Sequence, residues 1–279
     1  MNDYRQLDQR GLTPKKSLGQ NFMVEETVLR KMVDSADIGP ADAVLEIGAG
    51  LGALTSHLAD AARRVVAIEI DTRYAAELSY RFANQPHVEV VVSDILKTNF
   101  EVVLGDDAKS YKAIGNLPYY ITSAIIRALL ESAYPPELLV MTVQYEVGER
   151  IIAEPPDMSL LAVSVQFYGQ PEIVDKLAPG VFYPRPGVDS AVMKITPHES
   201  GPPLPPDQWT AFFRGVRAGF SQPRKKLRNS LSAGMHLKPD AVVNWLDAVD
   251  IDPARRAETL TIGEWVRIYL QRDKAISQS

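Results

Sequence analysis

Four consecutive residues, at positions 116 to 119, combine the groups that chemistry on an aromatic amino group requires. The amino group of adenine is a poor nucleophile because its lone pair is delocalised into the ring. Two acceptors that hold its protons would localise that lone pair toward a methyl group, so that positioning supplies much of the rate without a general base. The Asn116 side-chain oxygen and the carbonyl of Leu117 or Pro118 can serve as acceptors, and Tyr119 can stack on a base. These residue types also suit a simple turn.

A glycine-rich segment upstream could bind the methyl donor. Gly48, Gly50 and Gly52 follow an apolar run, and glycines there permit a tight turn and a close approach of ligand to backbone. The spacing of Gly48, Gly50 and Ala53 also satisfies the dinucleotide fingerprint, which leaves a nicotinamide cofactor and an oxidoreductase open. Glu46 precedes the first glycine by two residues, and this acidic start resembles motif I of class I methyltransferases, whose ligand is the zwitterion S-adenosylmethionine.

Two acidic residues at the ends of predicted strands would complete the donor pocket. Glu69 can accept hydrogen bonds from both hydroxyls of a ribose, and Asp94 can accept from the adenine amine of the cofactor. The plainer interpretations are a surface carboxylate for Glu69 and a helix N-cap for Asp94. We also assign Ile70 and Ile95, which follow these acids, to the cofactor pocket.

Short apolar runs alternate with amphipathic stretches, which predicts an α/β fold, a sheet with flanking helices. Together with the resemblance to motif I, this implies a Rossmann-like class I methyltransferase sheet. The run at 88–92 suits a central parallel strand that is buried on both faces. The last two predicted strands follow each other without a crossover helix, which indicates an antiparallel edge. Strands are predicted at 43–47, 64–70, 88–93, 111–116, 138–143, 162–168 and 188–195, and helices at 24–35, 53–62, 72–83, 122–131 and 144–152.

A proline-rich segment divides the chain. Four prolines and a glycine lie between His198 and Pro206, a composition typical of a semi-rigid linker. We therefore predict a catalytic domain over residues 1–198, a linker over 199–207 and a small all-α domain over 208–279. Helices in the last domain are predicted at 209–219, 224–233, 241–249 and 262–271.

The charge distribution points to a local contact with nucleic acid. A net charge of −5 argues against a protein that coats nucleic acid over its whole surface. No acidic residue lies between Gln208 and Pro239, however, and that stretch is rich in lysine and arginine. A solvated helix face would have the same composition. We predict that phosphate groups of RNA bind four of its residues, without sequence readout: Arg224, Lys225, Lys226 and Arg228.

Several classes of protein do not fit the sequence. The chain has no cysteine, which excludes disulfides and thiolate metal sites. Its four histidines show no ligand spacing, so no metal is expected. No apolar stretch reaches the ~18 residues of a membrane helix, and the first residues show no secretory signal. We expect a cytoplasmic protein that acts as a monomer.

Further segments resemble one enzyme family, the ribosomal RNA adenine dimethyltransferases. The tetrapeptide formed by residues 116–119 is similar to their motif IV. Motifs after residue 208 resemble the bacterial small-subunit (16S) branch, whereas the large-subunit branch linked to antibiotic resistance shares the tetrapeptide but usually lacks them. Residues that depart from the family pattern, and leave pocket details open, are Met23, Tyr145, Gly148 and those at 157–160. The similar segments are 15–23, 144–150, 188–192, 220–231 and 251–260.

This resemblance implies a function and further site residues. It implies transfer of methyl groups from S-adenosylmethionine to the N6 amino groups of two adjacent adenosines near the 3′ end of small-subunit rRNA. The substrate would be an immature 30S particle during ribosome biogenesis. Gln20, Asn21 and Met23 would help to close the cofactor pocket, and Phe182 would be the second stacking face for the base. Phe182 could instead be a core aromatic. A non-catalytic RNA-binding assembly factor and a large-subunit rRNA methyltransferase remain alternatives.

Overall fold

The computed structural model describes residues 12–15 and 18–272. Lys16 and Ser17 of the N-terminal motif therefore lie outside the described residues. The chain forms two compact units. The first comprises Met1–Gly148 with Pro171–Pro197, and the second comprises Glu149–Gln170 with His198–Ser279.

The first unit is built on a seven-stranded sheet, beside which lies a small two-stranded sheet. The strands are β1 (Phe22–Met23), β2 (Ala43–Ile47), β3 (Arg64–Glu69), β4 (Val88–Val92), β5 (Lys112–Asn116), β6 (Leu138–Gln144), β7 (Gly169–Leu177), β8 (Phe182–Tyr183) and β9 (Ser190–Pro197). The large sheet has the order β4-β3-β2-β5-β6-β9-β7, and β1 pairs with β8.

Helices flank the large sheet and make up most of the second unit. They are α1 (Glu26–Ser35), α2 (Ala53–Ala61), α3 (Thr72–Arg81), α4 (Phe100–Leu104), α5 (Thr122–Leu130), α6 (Tyr145–Ile152), α7 (Leu160–Gln166), α8 (Pro206–Phe220), α9 (Leu227–Met235), α10 (Pro239–Asp247) and α11 (Ile262–Leu270). Among the described helices, none combines the length and the hydropathy that a bilayer crossing requires.

The pairing of the central strands confirms the predicted fold class. Strand β2 runs parallel to both β3 and β5, and β5 runs parallel to β6. All five residues of β2 are buried, as expected of a parallel strand that is covered on both faces. Strand β9 is antiparallel to β6, but it does not form the predicted antiparallel edge, because β7 lies beyond it at the edge of the sheet. The carboxyl ends of β2, β3 and β5 consequently lie side by side at one edge.

The strand predicted at 162–168 is wrong, because this segment forms helix α7. The Ser159 side chain accepts a hydrogen bond from the Ala162 amide and caps the helix. Phe167, one residue past the helix, stacks on Phe212 of α8 with ring centroids 4.7 Å apart. Tertiary packing here overrides the β-propensity of Val163 and Val165. The edge strand β7 follows directly and was not predicted.

The central position predicted for the strand at 88–92 is also wrong. Strand β4 is parallel to β3, but it forms one edge of the sheet. None of its five residues is buried, and Val92 is 56% exposed. An apolar run predicts a strand, but it does not specify whether a second strand covers the far side.

The second unit is helical, and its first long helix starts earlier than predicted. Helix α8 begins at Pro206, inside the segment predicted as a linker, because proline is well suited to the first position of a helix. Aromatic residues of α7 and α8 pack together, which explains why Glu149–Gln170 belongs to this unit rather than to the sheet. The packed rings are Phe167, Tyr168, Trp209, Phe212 and Phe213.

Two glycines of α8 give a matched test of this packing. A methyl group at Gly219 would collide with the buried indole of Trp265, whereas one at Gly215 would meet no atom within 4 Å. We expect Gly219→Ala to lower the free energy of unfolding by about 1–3 kcal/mol. Gly215→Ala should raise it by up to about 1 kcal/mol, since alanine favours a helix. Urea denaturation of both variants checks this, and equal effects would contradict the packing.

Candidate active site at the carboxyl edge of the sheet

The ends of three neighbouring strands bring together the residues that the sequence singled out. Gly48 follows β2, Glu69 ends β3, and Asn116 ends β5. The register places Ile47 beside both Ile68 and Gly115, so that these strands end at the same level. The structure therefore joins the glycine loop, the ribose-binding candidate and the tetrapeptide at one edge, as a parallel sheet requires.

The glycine loop is held in a conformation that favours glycine. Gly48 and Gly50 have φ angles of 72° and 57°, in the left-handed region. The Gly48 amide donates to the Ile68 carbonyl at 2.9 Å, which ties the loop to β3. A side chain at Gly50 would approach the Phe22 ring to 2.9 Å, so this position also requires a small residue.

Glu69 is buried beneath this loop and is not a surface carboxylate. It is only 5% exposed. Its Oε2 accepts from the Gly50 amide and its Oε1 from the Asp71 amide, both at 2.8 Å. Burial raises the pKa of Glu69, although the amides of Asp71 and Gly50 oppose the rise. Glu69 therefore supports the loop through its carboxylate, and each oxygen retains a lone pair for a ligand hydroxyl.

Glu46 is the most unusual ionisable group of this edge. The side chain is 1% exposed, and its Oε2 has no hydrogen-bond partner among the described residues. Burial raises the pKa of Glu46 to about 8, and the neighbouring charge of Glu69 adds to the rise. A buried carboxyl oxygen that lacks a partner is costly, so it marks a place where a ligand could compensate.

A cleft opens in front of Glu46. Its walls include the glycine loop, the tetrapeptide and the N-terminal strand β1, through Gly48, Asn116, Phe22 and Met23. The wall is part polar and part apolar, as small-molecule sites usually are. Of the predicted cofactor residues, Met23, Gly48 and Asn116 thus line one cleft.

The other predicted cofactor residues lie around the ends of β3 and β4. The Asp94 side chain accepts from the Leu96 amide at 3.1 Å and caps the 3₁₀ turn Ile95–Lys97, so the plainer interpretation of Asp94 holds in this structure. Capping uses Oδ1, and Oδ2 forms an ion pair with the Lys97 ammonium group at 3.6 Å. Ile70 is 50% exposed, whereas Ile95 is buried. Their contact with a cofactor stays a prediction.

The N-terminal segment contacts the rest of the site through Asn21 and Met23. The Gln20 side chain accepts from the Lys15 amide at 2.7 Å, and the Asn21 carbonyl accepts from the Asn116 side chain at 2.7 Å. Met23, which is 3% exposed, pairs with Phe182 across the β1–β8 ladder. Asn21 therefore contacts the tetrapeptide directly, whereas Gln20 organises the preceding turn.

The Asn116 side chain is bound at both ends of its amide. Its Nδ2 donates to the Asn21 carbonyl, and its Oδ1 accepts from the Thr142 hydroxyl at 2.6 Å. Thr142 is the cross-strand partner of Asn116 on β6. The amide oxygen is thereby fixed in place, with a second lone pair left for another donor.

The remaining residues of the tetrapeptide form a turn into α5. The Pro118 carbonyl accepts from the Ile121 amide and the Thr122 hydroxyl, both at 3.2 Å. Tyr119 shares a 2.6 Å hydrogen bond with Ser190, and burial raises the pKa of its phenol. Leu117 is buried, at 3% exposure. The segment is thus a turn, as its residue types favour, and it also presents Asn116 to the cleft.

Phe182 does not present an open face in this structure. The ring is 2% exposed and packs in the core of the first unit with Met23 and Leu29. This placement fits the plainer interpretation, a core aromatic. Stacking of Phe182 on a base stays a prediction, and it would require the ring to be uncovered.

The predicted phosphate-binding residues lie on the second unit. They occupy the turn that precedes α9 and the first turn of that helix, and all four are exposed: Arg224, Lys225, Lys226 and Arg228. Leu227 between them is buried and anchors the segment through a 2.6 Å hydrogen bond to the Arg255 carbonyl. Within the described part of the chain, no group of three metal-ligating side chains occurs.

Sequence reasoning missed three side chains that the structure places at this site. Phe22 lines the cleft, Thr142 binds Asn116, and Ser190 binds Tyr119. A hydroxyl inside the apolar run of β6 was a possible signal for Thr142, because a buried polar group needs a partner. For Ser190 the register of β6 with β9 was needed, which the sequence does not reveal.

The buried carboxyl of Glu46 predicts an unusual dependence of stability on pH. The folded protein keeps it protonated up to about pH 8, whereas the unfolded chain ionises near the ordinary value of 4.5. The stability that the neutral carboxyl contributes is therefore full below about pH 4.5 and is lost as the pH rises to about 8. The loss approaches roughly 1.4 kcal/mol per pH unit between these values.

Replacing Glu46 by glutamine should remove this loss. The quantity to compare is the melting temperature of Glu46→Gln minus that of the parent, both without added ligand. This difference should be larger near pH 8 than near pH 5, since glutamine does not ionise. Thermal unfolding at both pH values checks this. Glu101→Gln, at an exposed carboxyl, is the control and should behave as the parent does. A difference that is independent of pH would contradict the assigned pKa.

Comparisons with known proteins agree with the geometry. A family described as ribosomal RNA adenine dimethylase matches residues 11–274. The ribosomal RNA small subunit methyltransferase A of Dehalococcoides mccartyi strain CBDB1 is 43% identical over 260 residues, which cover 93% of this chain and 89% of that protein.

Two solved structures share the fold over most of the chain. A dimethyladenosine transferase from Plasmodium falciparum superposes with a TM-score of 0.78 at 24% identity, covering 91% of this chain and 98% of that one. The 23S rRNA methyltransferase ErmE superposes with a TM-score of 0.71 at 28% identity, covering 91% and 100%. The resemblance seen in the sequence is confirmed: this chain belongs to the ribosomal RNA adenine dimethylase family.

Proposed function

We propose that this protein dimethylates the N6 amino groups of two adjacent adenosines near the 3′ end of small-subunit rRNA, with S-adenosylmethionine as donor. The observation that carries the proposal is the Asn116 amide, whose oxygen is fixed at the cleft while one of its lone pairs stays available. That lone pair can accept a proton of the adenine amine. The family supplies the reaction class, and the site supplies groups suited to it.

The cleft suits the proposed donor. The buried Oε2 of Glu46 has no partner among the described residues, and it would bind the ammonium group of the methionine part, whose positive charge favours the ionised carboxylate. Glu69 retains lone pairs for the ribose hydroxyls, and Asp94, Ile70 and Ile95 would surround the adenine. S-Adenosylmethionine supplies an electrophilic methyl group when bound. No metal is needed for this reaction, and we propose none.

The chain's own residues hold the acceptor amine. The Asn116 Oδ1 and a main-chain carbonyl would each accept one proton from N6, which localises the nitrogen lone pair toward the methyl group. The Pro118 carbonyl already accepts from two donors, so we assign the second role to the carbonyl of Leu117. Tyr119 would stack on the base, and its bond to Ser190 would hold the ring in place.

The choice of small-subunit rRNA rests on the relatives. Proteins named ribosomal RNA small subunit methyltransferase A are about 40% identical over more than 90% of the chain, against 28% for the 23S rRNA methyltransferase ErmE. We propose that the four exposed cations before and within α9 bind RNA phosphates, and that the substrate is an immature 30S particle. We further propose that the protein acts as a monomer in the cytoplasm.

An in vitro transfer assay tests the proposed reaction. With labelled S-adenosylmethionine and immature small subunits, the parent should produce N6,N6-dimethyladenosine in the digested RNA. Asn116→Ala removes one amine acceptor and should lower the rate roughly 100-fold or more, by analogy with the loss of one hydrogen bond to a transition state. Binding of the donor should remain measurable, because Glu46 and Glu69 are unchanged.

The control for this assay is Asn84→Ala, at an exposed asparagine, which should be as active as the parent. Absence of dimethyladenosine from the parent reaction would overturn the proposed function. Full activity of Asn116→Ala would leave the reaction standing and overturn the role of this amide.

Salt dependence tests the proposed RNA-binding segment. Changing Arg224, Lys225, Lys226 and Arg228 to glutamine should weaken binding to the small subunit and flatten its dependence on salt, since fewer counterions are released. Each lost phosphate contact should reduce the logarithmic slope by about 0.7–0.9. Changing Arg30 and Lys31 of α1 to glutamine serves as the control. An unchanged slope in the four-residue variant would count against the assignment.

A further inference from the structure

A single buried hydroxyl stands behind the amide of Asn116. Thr142 lies on β6 and is 0% exposed. Its Oγ1 donates to the Asn116 Oδ1 at 2.6 Å, and the two residues are Cα partners in the parallel pairing of β5 with β6. The bond therefore joins the end of β5 to the neighbouring strand β6 at the level of the cleft.

Thr142 lies in a largely apolar part of the sheet, with the buried Ser190 of β9 as a polar neighbour on the same face. Val140, on the same face of β6, and Val192, the partner of Thr142 on β9, are both 0% exposed. A buried hydroxyl in such surroundings is costly unless it is hydrogen-bonded. Asn116 satisfies it, and a valine of almost the same shape would fill this position without that requirement.

The two bonds to Asn116 determine which way its amide points. Asn21 contributes a carbonyl oxygen, which can only accept, so the Nδ2 of Asn116 must face it. Thr142 donates its proton to the opposite atom, Oδ1. A flipped amide would place Oδ1 against the Asn21 carbonyl, two acceptors facing each other. The orientation thus follows from the partners and is not an arbitrary choice between oxygen and nitrogen.

We propose that Thr142 is a positioning residue that holds the Asn116 oxygen where the substrate amine needs an acceptor. The proposal rests on the function proposed above. Thr142 uses one lone pair of Oδ1 and leaves the other directed at the ligand. Without the hydroxyl, only the Nδ2 end of the amide is held. The oxygen can then turn away from the amine, and a displacement of about 1 Å can cost on the order of 100-fold in rate.

Kinetics of two conservative variants test this role. Thr142→Val keeps the shape and removes the hydroxyl, so kcat should fall roughly 10-fold to 100-fold while KM for S-adenosylmethionine changes less than about twofold. Thr142→Ser keeps the hydroxyl and removes a methyl group, so kcat should stay within about threefold of the parent. A purely structural role would give the opposite order, because serine leaves a cavity and valine does not.

Three kinetic results with the single variants would overturn the proposal. They are full activity of Thr142→Val, an equally low kcat in Thr142→Ser, and an effect confined to KM. In the Asn116→Ala background, Thr142→Val should lower kcat no further, because both changes remove the same interaction. An additive loss would show that Thr142 acts through another group.

A spectroscopic readout keeps the proposal separate from the proposed function. The side-chain NH₂ resonances of Asn116 in a ¹⁵N-labelled protein report on its amide without any turnover. Thr142→Val should shift or broaden them, and Thr142→Ser should leave them close to the parent positions. If the parent methylates no rRNA, the proposed function fails, and unchanged Asn116 resonances in Thr142→Val would overturn the positioning role independently.

Discussion

Parallel pairing of β5 between β2 and β6 is the constraint on which the site depends. It places Asn116, the last residue of β5, beside Gly48 on one side and Thr142 on the other. Gly115 makes the close approach possible, because a side chain there would come within 2.5 Å of the Ile47 carbonyl. The acceptor that we propose for the substrate amine is therefore positioned by the sheet itself. In the same proposal, the turn at 117–119 contributes the second acceptor and the aromatic ring.

Two buried carboxyl groups at the same edge destabilise the folded protein. Glu46 and Glu69 are both buried, and among the described residues neither forms an ion pair with lysine or arginine. Main-chain amides stabilise Glu69, but Glu46 keeps an oxygen without a partner and has its pKa raised to about 8. A ligand that carries an ammonium group would turn this cost into affinity. Strained or unsatisfied groups at a site are expected where a protein gives up stability for binding.

Much of this arrangement could be predicted from the sequence, because it depends on local signals. The glycine loop, Glu69 and Asn116 each follow or end a predicted strand. The parallel pairing of β2 with β3 and with β5 brings these strand ends together, as predicted. What failed depended on neighbours distant in sequence. The segment at 162–168 has the pattern of a strand, but it forms a helix whose end packs against the aromatic residues of α8. Strand β4 has the apolar pattern of a central strand, but the sheet order places it at an edge. The role of Thr142 likewise required the register of β5 with β6.

The most direct measurement is the position of the substrate amine relative to the Asn116 amide. A crystal structure with S-adenosylhomocysteine and an adenosine-containing fragment of small-subunit rRNA would provide it. We predict that the adenine N6 lies about 2.9 Å from the Asn116 Oδ1, within reach of the Leu117 carbonyl, while Thr142 keeps its hydrogen bond. An adenine N6 that faces the Asn116 Nδ2, or that lies beyond hydrogen-bond distance of this side chain, would contradict the account.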